Sequence, residues 1–94
     1  MTETERAFVV DATLARDAAT RRAPVRPAHL ARLRELMASG EVVAVGALED
    51  LSASILIIRA EDAAAARALI DSDVYVASGV WTDISIRAIQ LVRA

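Results

Sequence analysis

Arg26-Pro27-Ala28-His29-Leu30-Ala31-Arg32-Leu33-Arg34-Glu35-Leu36-Met37-Ala38-Ser39-Gly40 is the best-marked helix of this chain and carries its only histidine. Pro27 suits the first helical position, where its missing N–H is not needed, and Gly40 suits the left-handed position just past the end. Leu30, Leu33 and Met37 recur at helical spacing with Leu36 beside them, whereas Arg32, Glu35 and Ser39 fall on the opposite side. His29 lies in the first turn, one turn before Leu33. Its imidazole is therefore expected at the edge of the buried face, aimed inward or along the rim of a cleft.

Outward from this helix, Ala7 to Ala12 is short, apolar and β-prone and reads as a central first strand. Thr13 to Val25 is polar, centred on Pro24, and reads as a loop with room for a helical turn at Leu14 to Ala18. After Gly40, Glu41 to Ala47 and Ser54 to Arg59 read as two strands joined by a short hairpin, hence antiparallel. Glu61 to Ile70 is alanine-rich and begins with two acids, which favours a helix; Ala65, Ala68 and Leu69 recur along it. Asp71 to Trp81 is expected to be a connector with Gly79 as its flexible point, and Thr82 to Val92 a last strand. The order βαββαβ is that of a ferredoxin-like α+β fold, a four-stranded antiparallel sheet with both helices on one face. In the last strand Ile84, Ile86 and Ala88 share one side while Ile89 and Leu91 load the other. The sheet's far face is thus expected to meet a second copy of the chain.

Composition bounds the function. The chain of 94 residues is read as one domain over positions 1–94. A domain of this size buries only about two thirds of its unfolded surface, which makes a homodimer the default expectation. A net charge of −2 argues against a phosphate-backbone binder, and an RNA-binding sheet would need exposed aromatics where these strands carry Ile and Val. Cysteine is absent and histidine is single, so no thiol nucleophile or recognisable metal site is expected, and no glycine-rich loop exists to cradle a phosphate. No cofactor is expected. Met1 to Arg6 lack the apolar run of a signal peptide and no segment reaches membrane-spanning length, so a cytoplasmic location without membrane contact is the default.

The only side chain whose ordinary pKa, about 6.5, makes it a proton carrier near neutral pH is His29. Asp73, in the connector, is the carboxylate that can fold back to fix its tautomer. Against this stands a structural reading, in which His29 is a satisfied core residue and Asp73 shapes a turn with Asp71 and Ser72. Arg26 and Ser54 are candidate hydrogen-bond donors to a bound small molecule. Tyr75 and Trp81 are expected in the core or at a dimer contact, with Tyr75 able to line a pocket. Arg16, Arg21 and Arg22 precede His29 and would attract an anionic ligand, although such a charge run is more often a solvated surface.

The R-P-x-H-L run at Arg26 to Leu30, the glycine at Gly46 and the run Asp71-Ser72-Asp73-Val74-Tyr75-Val76-Ala77-Ser78-Gly79-Val80-Trp81 resemble the YCII-related family of the dimeric α+β barrel group. The resemblance spans nearly the whole chain from Phe8. It implies sheet-to-sheet dimers with a pocket in each subunit, a His29–Asp73 pair, and Gly46 and Tyr75 at the pocket edge. It also makes imaginable a small cofactor-independent lyase or isomerase, of dehydrochlorinase type, moving a proton on a small cyclic or unsaturated acid. The alternative is a non-catalytic dimeric ligand-binding or accessory protein. Two departures from the family pattern stand out: Ala47 and Val74 occupy positions commonly held by proline.

Overall fold

A computed structural model describes residues 3–92; Met1 and Thr2, part of the polar start read above as lacking a signal segment, lie outside them. Strand β1 (Thr4–Leu14) is followed by helices α1 (Ala18–Arg22) and α2 (Arg26–Ser39). The chain continues through β2 (Val42–Ala47), β3 (Ala53–Ile58), α3 (Ala63–Asp71), α4 (Val74–Ala77) and β4 (Trp81–Val92). The sheet order is β2-β3-β1-β4, with all three pairings antiparallel. This is the ferredoxin-like arrangement the order of elements implied, with β1 and β3 at the centre.

Alternation along the strands divides the sheet into two unlike faces. Phe8, Val10 and Ala12 pair with Ile58, Leu56 and Ser54 on one side and with Ala88, Ile86 and Ile84 on the other. This face packs with Leu33 of α2, Ala66 and Ile70 of α3, Tyr75 of α4 and Ala18 of α1. Phe8, Val10, Leu56 and Ile58 are almost wholly buried, each stabilising the fold by roughly 1.5–3 kcal/mol relative to an exposed side chain. Among the described residues no helix covers the opposite face. There Val9, Ile55, Ile57, Ile89 and Leu91 remain half-buried, an apolar strip interrupted by Asp11 and Arg87.

Several elements differ from the sequence expectations. The segment read as a loop from Thr13 holds the end of β1 and the helix α1, which lies four residues later than the expected turn. The connector after α3 contains α4. Segments of four or five residues are too short to display a period, which is why neither helix was legible. In α2 Met37 is 47% exposed, and the buried line runs through His29 and Leu33 with Leu30 and Leu36 at its margins. In α3 the buried positions are Ala66 and Ile70, not Ala65 and Ala68. Asp62 caps α3, its carboxylate accepting the Ala65 N–H at 2.8 Å.

Gly40 ends α2 at φ +86°, its N–H donating to the Met37 carbonyl, so the glycine expected there is required by backbone geometry. A Cβ at Gly40 would meet only an Arg59 nitrogen at 3.9 Å, leaving the left-handed φ as the sole penalty. At Gly46 an added Cβ meets nothing within 4 Å and φ is ordinary. Gly40→Ala is therefore expected to lower stability by about 1 kcal/mol, and Gly46→Ala to leave it unchanged or slightly raised, in urea denaturation.

Candidate active site

The site is assembled where α2 begins and α3 ends. Val25, the residue before α2, offers no capping side chain, and the first turn contains no acid, so nothing local offsets the positive end of the helix. One turn in, His29 projects inward and is only 5% exposed. After α3 the chain turns at Ser72 and becomes extended at Asp73, which caps α4: its Oδ1 accepts the Tyr75 N–H at 2.8 Å. That cap fixes the direction of α4 and lays the Tyr75 ring flat on the imidazole, with centroids 3.6 Å apart and planes 8° from parallel.

The same Oδ1 accepts a hydrogen bond from His29 Nδ1 at 2.8 Å. The second oxygen, Oδ2, accepts from Arg32 Nη1 at 3.1 Å, and Arg32 Nη2 donates to the Leu69 carbonyl and the Ser72 hydroxyl, each at 2.6 Å. Burial pushes the Asp73 carboxyl up, but the hydrogen bonds from His29 and Tyr75, with the charges of His29 and Arg32, outweigh it and hold the group below the ordinary carboxylate range. Asp73 is thus ionised and Nδ1 is the donor. On a neutral ring the lone pair lies at Nε2, which has no hydrogen-bond partner among the described residues and is not sealed from solvent.

His29 forms part of the wall of a cavity of about 170 Å³. Leu30, Leu33 and Val45 supply its apolar lining, and Arg22, Arg26, Ser54 and Tyr75 its polar groups. A cavity of about 150 Å³ already admits benzene, so a single substituted ring fits. Trp81 stands edge-on to both His29 and Tyr75, and its Nε1–H donates to Ser54 Oγ at 3.2 Å. Burial pushes the Tyr75 phenol above its ordinary value although the charges of Arg26 and Arg22 pull it down, so Tyr75 stays neutral. A wider concavity of about 430 Å³ lies elsewhere on the sheet, between the start of β1 and the end of β4. Its charged residues are engaged, Glu5 with Arg59 and Arg6 over the Phe8 ring.

Of the residues singled out in the sequence, His29, Arg26, Ser54, Tyr75 and Gly46 line one cavity, and Asp73 stands behind the imidazole. Gly46 does so with its backbone, because its paired position opposite Ile55 belongs to the uncovered face. Two residues escaped the sequence reading. Arg32 was assigned to the solvent side of α2, yet its long side chain reaches back to Asp73. Arg22 was grouped with a solvated charge run; its spacing of four from Arg26 was the available signal, and it alone of Arg16, Arg21 and Arg22 lines the cavity. Arg21 instead pairs with Asp17 at 2.7 Å. Among the described residues no group of three or more His, Asp or Glu side chains is placed to hold a metal ion.

Because the folded state lowers the Asp73 pKa, its charge favours folding above the unfolded value of about 3.9, and that contribution disappears as pH falls through the folded value. Removing one partner of a buried ion pair costs about 3 kcal/mol. Asp73→Asn is expected to lose about this much stability at pH 7, with the gap to the wild type narrowing below about pH 4. Urea unfolding across that pH range checks both the size and the sign.

The fold and site can be compared with known proteins. The protein known as YciI is 33% identical over 90 residues in Escherichia coli O6:H1 and, equally, in Shigella flexneri, covering 85% of this chain and 92% of the relative. Among solved structures, 5-chloro-2-hydroxyhydroquinone dehydrochlorinase (TftG) from Burkholderia phenoliruptrix AC1100, in complex with 2,5-dihydroxybenzoquinone, superposes with a TM-score of 0.74. That likeness covers 86% of this chain and 90% of the other at 20% identity, and so concerns the fold. The signature of the YCII-related domain matches residues 7–90, and with it the chain belongs to the YCII-related family.

Proposed function

We propose that this protein is a small cofactor-independent enzyme that moves a proton on a small cyclic or unsaturated acid, with His29 as the base and Asp73 as the residue that orients it. The observation that carries the reading is the division of the imidazole: Nδ1 is held by an ionised carboxylate, while Nε2 is without a partner among the described residues, on a side chain that lines a ring-sized cavity. Nε2 takes a proton from a C–H or O–H of the ligand. In a lyase the released electron pair expels a leaving group as its anion, and the proton stays on His29 until it passes to solvent. In an isomerase His29 returns the proton to a different atom. That TftG, which shares the fold, is a dehydrochlorinase crystallised with a hydroxylated quinone supports the small-ring version of this chemistry.

Assembly is part of the proposal. The uncovered strip of Val9, Ile55, Ile57, Ile89 and Leu91 lies on the sheet face opposite the helices. Its burial against the same strip of a second copy completes a two-layered core, leaving one His29 cavity in each subunit.

Two experiments test these statements. With chlorinated hydroquinones and unsaturated lactone acids as substrates, turnover by the wild type followed by absorbance and chloride release is expected to fall at least about 100-fold in His29→Ala, with the circular dichroism unchanged. Equal turnover in the variant, or a wild type inert toward the whole set, favours a binding module in which the pair only holds the cavity together. For assembly, sedimentation should give a dimer for the wild type and a monomer for Ile57→Glu, whose charge would face the second copy; a wild-type monomer overturns the pairing.

A further inference from the structure

Arg22 ends α1 and Arg26 begins α2, four positions later across Ala23-Pro24-Val25, so the short turn between the helices puts both arginines in the lining of the His29 cavity, where the charges of both act on the Tyr75 phenol. Three other arginines are committed to carboxylates. Arg21 pairs with Asp17, Arg32 with Asp73 and Arg59 with Glu5. Arg22 and Arg26 pair with no carboxylate among the described residues, and no acid lines the cavity. The nearby carboxylate, Asp73, is 1% exposed and has both oxygens engaged by His29, Tyr75 and Arg32, so it cannot swing out to compensate them.

Arg26 is exposed and Arg22 half-buried, and two like charges lining one cavity repel each other; an anion between them relieves that repulsion. The planar fork of arginine matches a carboxylate or a pair of ring oxygens. Tyr75 adds a neutral O–H on the same wall. We propose that Arg22 and Arg26 form an anion subsite that selects ligands entering the His29 cavity as planar ring anions, holding a charged oxygen away from the atom at which proton transfer occurs. This rests on reading the His29 cavity as a ligand site, and it assigns to Arg22 a role in specificity.

The test is calorimetric binding of two ring probes of similar size: 2,5-dihydroxybenzoquinone, an acidic quinone that is anionic at neutral pH, and hydroquinone, which is uncharged. The chain has no cysteine and no lysine, so few nucleophiles are present to form adducts with a quinone. The wild type is expected to bind the anion at least about tenfold more tightly than the neutral ring. Arg22→Gln and Arg26→Gln should each lose about tenfold for the anion with little change for hydroquinone, and raised salt should weaken only the anion. His29→Ala should keep the preference, because the subsite is separate from the base. Equal binding of the two probes by the wild type, equal losses for both in the arginine variants, or no measurable binding of the anion at millimolar concentration would overturn the proposal. The two proposals fail separately. Turnover that depends on His29 without an anion preference leaves the enzyme and removes the subsite, whereas an anion preference without turnover does the reverse.

Discussion

The arrangement depends on one buried charge. A carboxylate as enclosed as Asp73 costs several kcal/mol unless its lone pairs are taken up, and three donors from two elements do so: His29 and Arg32 of α2 and the backbone N–H of Tyr75 in α4. Satisfying them determines much else. The Tyr75 bond sets where α4 starts, the His29 bond sets the ring's tautomer, and Arg32 extends the network to the last turn of α3 through Leu69 and Ser72. Helices that pack on different parts of the sheet are thereby tied together at one point. Fold and candidate chemistry use the same atoms, so the structural and catalytic readings of the pair are not exclusive, and only the other nitrogen of the imidazole separates them.

Around that charge the aromatic groups restrict the ring further. Tyr75 lies flat against His29, Trp81 meets both edge-on, and Ser54 holds Trp81 through its indole N–H. Elements α2, α4, β3 and β4 each contribute one member. Rotation of the imidazole about its own bonds would break the stack and the Asp73 bond together, so Nε2 keeps one direction. A base held this way needs little reorganisation when a ligand arrives.

How much of this was legible in the sequence follows from which interactions leave a periodic or local signal. The order of strands and helices, Gly40 at the end of α2 and the inward position of His29 could all be read, because each rests on spacing or on one residue's backbone preference. The association of His29 with Asp73, 44 positions apart, came from the connector's ability to fold back together with the family resemblance, and no spacing rule reaches that far. Arg32 was misplaced because helical periodicity sorts residues by the direction of Cβ, while a long guanidinium side chain can return to a buried acid from the margin of the exposed face. The small helices α1 and α4 were missed for want of length. Their effect is large nonetheless, since α1 carries Arg22 to the cavity and α4 carries Tyr75 to the ring.

The distribution of charge connects the two proposals. Arg32 neutralises Asp73 behind the imidazole, so the pair presents little net charge to the cavity, whereas Arg22 and Arg26 line it with no carboxylate partner among the described residues. Proton removal from a ring acid leaves negative charge on the ligand. A cavity whose uncompensated groups are cationic stabilises that charge as it forms, and oriented groups in a site of restricted solvent access do so more effectively than water. Base and cations must also be kept apart: were either guanidinium within bonding reach of Asp73, it would be drawn into the buried network as Arg32 is. The turn Ala23-Pro24-Val25 sets α1 off from α2, so Arg22 and Arg26 line the cavity in which the proposal places the ligand's oxygens, while Arg32, six residues past Arg26, holds the carboxylate.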